Sequence, residues 1–94
     1  MVTAFILIKA RRDRILQASQ EILNLDGIAE VYSVAGPWDL VAVARVREND
    51  ELAGLVTEDL IAVDGIAETT TLIAFRQYSK HDLETMFGLG FDKG

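Results

Sequence analysis

The sequence predicts an α+β sandwich, a four-stranded antiparallel sheet with two helices on one face. Three observations predict it. Thr3–Lys9 is a nearly unbroken apolar run of β-branched and aromatic residues, the pattern of a central strand. Two later stretches, Ile15 to Leu25 and Leu52 to Val63, carry apolar residues at helical spacing. Finally, Asp26-Gly27-Ile28-Ala29-Glu30 returns 38 residues later as Asp64-Gly65-Ile66-Ala67-Glu68. Each copy joins the end of a helix to the start of a strand, so the chain reads as two similar strand–helix–strand halves.

The elements follow in order. Thr3–Lys9 is expected to be a strand buried on both faces. Arg11, Arg12 and Arg14 follow, and from Asp13 the pattern turns helical. Ile15, Ala18, Ile22 and Leu25 form one buried stripe, while Gln17, Gln20, Glu21 and Asn24 take the wet side. Asp26-Gly27 ends this helix, with Gly27 as cap or turn residue. Ile28–Ala35 is the second strand. Gly36-Pro37-Trp38-Asp39 is the sharpest turn signal and holds the only proline and the only tryptophan. Leu40–Arg47 is the third strand, with Leu40, Ala42, Ala44 and Val46 on one face and Val41, Val43, Arg45 and Arg47 on the other.

Asn49 is expected to cap the second helix, with Asp50 and Glu51 at the positive end of its dipole. Its stripe reads Leu52, Val56, Leu60 and Val63, with Leu55 beside them. Gly54 costs this helix about 1 kcal/mol relative to Ala, and close packing is the expected reason for it. Ile66–Tyr78 contains the fourth strand. Ser79 and Asp82 would cap a short last helix, Lys80–Phe87. One domain over residues 1–78 results, with the helix and tail of 79–94 part of the same unit. The short central turn makes the middle strands antiparallel neighbours or near neighbours, and each half crosses over right-handed. That topology is the ferredoxin-like βαββαβ sandwich.

Two helices cover one face of such a sheet. Phe5, Ile6, Leu7 and Ile8 are apolar on both faces of the first strand, and Val41 and Val43 lie opposite Leu40 and Ala42. A single chain therefore leaves an apolar face in water, and a symmetric dimer, sheet against sheet, is the simplest cover. The apolar tail with Leu83, Met86, Phe87, Leu89 and Phe91 either lies on a partner or folds back over its own sheet.

Composition narrows the function. A chain of 94 residues with 50% hydrophobic content suits one small domain. There is no cysteine, so neither disulfides nor thiolate chemistry arise. The apolar start is too short to span a membrane and lacks a basic leader region, which makes a cytoplasmic location the expectation. A net charge of −6 disfavours direct binding to nucleic acid.

Little in the sequence suggests catalysis. The single histidine, His81, sits at the start of the expected last helix, where surface exposure is the ordinary outcome. No residue pattern has metal-ligand spacing, and no nucleophile has a base beside it. No phosphate loop is present, and no cofactor is expected. The arginines at 11, 12 and 14 suit either an anion near a helix start or a solvated cluster. Asp39 suits either the backbone of its own turn or an ammonium group. Trp38 either covers the core or walls a pocket. Thr69 and Thr71 point to the same face of the fourth strand, with hydroxyls able to meet a carboxylate or an amide. Gly36, Trp38 and Asp39 with Thr69 and Thr71 thus form a candidate site for a small zwitterion.

Three segments resemble motifs of the Lrp/AsnC family's ligand-binding domain, the RAM domain. Leu25-Asp26-Gly27-Ile28 resembles the family's Leu-Pro-Gly-Val. Gly36-Pro37-Trp38-Asp39-Leu40 resembles its Gly-x-Tyr-Asp-hydrophobic turn. Asp64 to Ile73 resembles its Pro-Gly-Val-x-x-Thr-x-Thr segment, with Asp64 and Asp26 where the family has proline. The resemblance runs from about Thr3 to Tyr78 and implies a ferredoxin-like fold, dimers built through their sheets, and rings of dimers, often octamers. It also implies an amino acid bound between dimers, with Gly36, Trp38, Asp39, Thr69 and Thr71 at the matching positions. The sequence begins at the first strand, without the family's helix-turn-helix, so a stand-alone sensing and oligomerisation module is expected, able to co-assemble with a full-length regulator. The alternatives are a small dimeric α/β-barrel enzyme, of monooxygenase or isomerase type, and an ACT-like regulatory domain.

Overall fold

A computed structural model of the protein describes residues 1–80. It has the ferredoxin-like α+β architecture that the sequence predicts. Strand β1 spans Val2–Ala10, and a single 3₁₀ turn, Arg12–Arg14, leads into helix α1, Ile15–Leu23. Strands β2, Ile28–Ser33, and β3, Leu40–Val46, flank the central turn. Helix α2, Asn49–Gly54, continues into a π turn, Leu55–Asp59, and strand β4 is Ile66–Ile73. The sheet order is β2-β3-β1-β4 with every neighbouring pair antiparallel. The expected helix Lys80–Phe87, His81 and the apolar tail lie outside the described residues, apart from Lys80 itself.

Register decides what each face carries. On β1, Ile6 opposes Ala42 and Thr71, and Ile8 opposes Leu40 and Thr69. These residues share the helix-covered face, where Ala4, Ile6, Ile8, Ala42 and Ala44 are fully buried. On the opposite face Phe5 opposes Val43 and Leu72, and Leu7 opposes Val41 and Thr70. The expectation that β1 is buried on both faces fails in the single chain. Phe5 is 40% exposed and Leu72 50%, because no layer among the described residues covers them.

The two helices bury different spacings. In α1 and the turn after it, Ala18 and Ile22 are buried and Ile15 and Leu25 pack against the core. The second helix was expected to bury Val56. Instead Leu52, Leu55, Leu60 and Val63 are buried and Val56 is only half-buried. The reason is the π turn: the Leu60 N–H reaches the Leu55 carbonyl, five residues back, at 2.8 Å. One extra residue per turn keeps Leu55 and Leu60 on one face. The spacing 3-4-3 of the first stripe becomes 3-5-3 in the second.

Two further expectations are corrected. The N-cap of α2 is Glu48 rather than Asn49. Glu51 Oε1 accepts from the backbone N–H groups of Arg47 and Glu48 at 2.7 and 3.0 Å. This satisfies donors that Asn49, already inside the helix, cannot reach. Close packing does not require Gly54 either, since a Cβ there would have nothing within 4 Å.

Gly65 is different. It has φ of +101°, and an added Cβ would stand 2.6 Å from the Arg14 Cβ. Gly65→Ala is expected to destabilise the fold by about 1–3 kcal/mol. Gly54→Ala is expected to stabilise it by up to about 1 kcal/mol. Urea denaturation of the two variants beside the parent checks both signs; equal midpoints would contradict both.

Candidate ligand site

The central turn is fastened to the end of β1. The backbone N–H of Asp39 donates to the Ile8 carbonyl at 2.9 Å, and Asp39 Oδ2 accepts from the Ala10 N–H at 2.9 Å. The Asp39 carbonyl accepts from the Val34 N–H, which closes the β2–β3 connection. Of the two roles open to Asp39 in the sequence, the structure fills the backbone role, though on β1 rather than within its own turn. The need is local: β3 begins at Leu40, opposite Ile8, so the Ala10 N–H lies past the end of its neighbour strand and a side-chain acceptor serves it. Only Oδ2 takes part in this bond.

Gly36 supplies the positive φ, +114°, that the turn requires. Its α-carbon faces open space, with nothing within 4 Å of a built Cβ. Trp38 is half-buried, and the Lys9 ammonium lies 5.6 Å from its ring centroid. A contact of this kind is worth about 0.5–1 kcal/mol at an exposed site. Lys9 was not singled out in the sequence. Its signal was present there, a cation at the end of an apolar strand with the same parity as Phe5 and Leu7.

Thr69 and Thr71 do point to one face. They stand opposite Ile8 and Ile6, on the helix side of the sheet, and both are half-buried. Ile8 thus has Leu40 on one side and Thr69 on the other. The turn and Thr69 are separated by two strand spacings, roughly 10 Å. Thr71 lies one pair further along and lines an apolar groove of about 490 Å³ with Leu52, Val56 and Phe75. The sequence-predicted residues therefore gather towards one end of the sheet on both sides of β1. The described residues of a single chain do not wrap them around one enclosed volume, because β1 runs between them.

Within the largely exposed arginine cluster, Arg11 and Arg14 make ion pairs. Arg14 Nη2 meets Glu21 Oε2 at 2.8 Å, and Arg14 Nε meets Asp64 Oδ2 at 3.4 Å. Arg11 reaches Asp13 and Asp64 at 3.3 and 3.6 Å. Among the described residues no group of three or more His, Cys, Asp or Glu is placed to hold a metal ion. No described helix is long and apolar enough to cross a membrane.

The family model described as "Lrp/AsnC ligand binding domain" matches residues 3–83. The chain belongs to the Lrp/AsnC ligand-binding domain family. It is 34% identical over 76 residues to a helix-turn-helix-type transcriptional regulator of Pyrococcus abyssi, covering 78% of this chain and 51% of that protein. The chain spans about half the length of the curated relatives it matches. Among solved structures, a protein of Thermus thermophilus superposes with a TM-score of 0.80 at 44% identity, over 85% of this chain and all of that one. AsnC of E. coli superposes with a TM-score of 0.75 at 25% identity, over 81% of this chain and 52% of its own. As an Lrp/AsnC domain, the chain carries the turn, β1 and both threonines inside the matched region.

Removing the Asp39 carboxylate leaves the Ala10 N–H without its acceptor. Asp39→Ala is expected to cost about 1–2 kcal/mol and to speed hydrogen exchange at the Ala10 amide more than at Ile6. An Ala10 amide as protected as in the parent would show that water or another group replaces the carboxylate at no cost.

Proposed function

We propose that this Lrp/AsnC domain is a non-catalytic sensor that binds a small amino acid between dimers and transmits binding as a change in assembly. Family membership over residues 3–83 carries the reading. The geometry supports it in two ways. The uncovered sheet face, with Phe5, Tyr32 and Leu72 each at least 40% exposed, suits a second copy. The split between the turn and the threonines suits a site completed by a neighbouring subunit. In this reading Asp39 receives the ligand ammonium, Trp38 and Gly36 shape the wall, and Thr69 and Thr71 meet polar groups of the same or an adjoining ligand. Dimers through the sheet would assemble into a ring, an octamer being the expected form.

A ligand that touches two subunits favours the assembled state by its differential affinity for it. The relatives that carry a helix-turn-helix name suggest a route to transcription, in which this chain co-assembles in the cytoplasm with a full-length regulator through the same faces.

Native mass spectrometry with and without a pool of the common amino acids tests the reading. A discrete oligomer that gains the mass of an amino acid is the expected result, with Trp38→Ala reducing occupancy. No added mass and no change in assembly with any amino acid would overturn it. The sheet interface has its own check. Phe5→Asp places a charge at the centre of the open face and is expected to shift sedimentation towards the monomer, while unchanged sedimentation would place the interface elsewhere.

A further inference from the structure

Strand β4 is one edge of the sheet, and among the described residues nothing pairs with its outer side. The Ala74 N–H donates to the Thr3 carbonyl at 2.9 Å. Bonding direction alternates along an antiparallel ladder, so Glu68, Thr70 and Leu72 turn their backbone groups to β1 as Ala74 does. Thr69, Thr71 and Ile73 turn theirs outward. This edge is also undefended. Residues 69–75 contain no charge, proline or glycine, and an uncharged edge of that composition invites a further strand. The other edge, β2, is shorter, carries Glu30 and shifts register between Ile28 and Glu30, all of which discourage pairing.

The side chains beside the β4 edge are apolar and uncovered among the described residues. Leu72 on the open face and Ile73 on the helix side are each about half exposed, and Phe75 is almost wholly exposed. Thr71, Ile73 and Phe75 also line the groove of about 490 Å³ that they share with Leu52 and Val56. Two charges bracket the run, Glu68 before it and Arg76 after it. Neither makes an ion pair among the described residues, although Glu68 stands opposite Lys9.

We propose that the β4 edge is a docking surface for the same edge of a second copy, antiparallel and with the two-fold axis at Leu72. Only this register sets Glu68 opposite the partner's Arg76, and the two-fold does so at both ends of the run. The outward backbone groups of Thr71 then meet those of the partner's Ile73, and those of Thr69 meet the partner's Phe75, so donors find acceptors along the whole uncharged run. Leu72 packs on the partner's Leu72, and the partner's Ile73 closes against Thr71 at the wall of the groove. The contact joins two sheets edge to edge and leaves their faces free, so it adds to a face-to-face dimer and links such dimers into larger assemblies. It involves no ligand, so it can hold where amino-acid sensing fails and fail where sensing holds.

The test is amide hydrogen exchange of the full chain, read by NMR residue by residue, beside sedimentation of the same samples. In the assembled parent the amides of Thr71 and Ile73 are expected to be protected although they face away from β1. Arg76→Glu sets like charges against each other at both ends of the contact. It is expected to weaken association about tenfold and to speed exchange at Thr71 and Ile73 by a similar factor. Thr70 and Leu72, bonded to β1, are expected to keep their protection, which establishes that the variant folds. Glu68→Arg added to Arg76→Glu reverses both charges and is expected to restore the parent's behaviour. Fast exchange at Thr71 and Ile73 in an oligomeric parent, or a parent that sediments as a monomer, would overturn the edge contact. Protection there that Arg76→Glu leaves intact would overturn it too, by naming another occupant such as residues 81–94 or an unlike edge. A double variant as weak as the single one would overturn the register and the proposal with it.

Discussion

Strand β1 pairs on both edges, with β3 and with β4, and its odd and even residues serve opposite purposes. Ile6 and Ile8 are fully buried on the helix side, and Phe5 and Leu7 face the uncovered side. A slip of one residue would exchange these sets and drive Lys9 towards the core. The hold on Asp39 guards against such a slip. It fastens the β2–β3 connection to Ile8 and Ala10 by one backbone and one side-chain bond. The central turn is thus part of the mechanism that fixes the register of the whole sheet.

The two halves solve the same packing problem differently. Each must lay a helix over the sheet and return through an Asp-Gly turn. The first half does so with a regular helix, and the second adds one residue and absorbs it in a π turn. The extra residue leaves the buried stripe intact, as Leu55 and Leu60 are 2% and 0% exposed. It changes the outer surface instead. Arg14 closes the turn at Gly65, whereas the turn at Gly27 opens onto a cleft beside Gly54. A π turn inside a packed helix persists only where tertiary contacts hold it, and such turns gather at functional sites.

The element order, the sheet topology and the open apolar face were legible in the sequence, because periodicity and the Asp-Gly repeat report burial and chain reversal directly. The π turn, which puts Leu55 in the stripe where Val56 was expected, was not. A 3.6-residue period assigns the face to Val56, and only tertiary packing reveals that the helix widens there. Asn49 was a reasonable cap by residue type, yet Glu51 lies where one carboxylate can serve two backbone donors. In the candidate site, the sequence named the turn and the threonines. It could not show that Thr69 and Thr71 share the helix side of the sheet, since that depends on the β1–β4 register. Nor could it show the Lys9–Trp38 contact, which joins residues 29 positions apart.

The position of Asp39 bears on how such a site would work. A carboxylate that must find a ligand from free rotamers loses side-chain entropy on binding. Asp39 has already lost that freedom, since Oδ2 is held by the Ala10 N–H. Under the proposed function, that structural bond would hold the carboxylate ready for a ligand instead of competing with it. The same bond ties the turn to the strand that carries the open face, so a group bound at Asp39 would press on β1. Strand β1 in turn aligns Thr69 and Thr71 through Ile8 and Ile6. Turn, threonines and open sheet face are in this way mechanically one unit, although they lie on three strands and two faces.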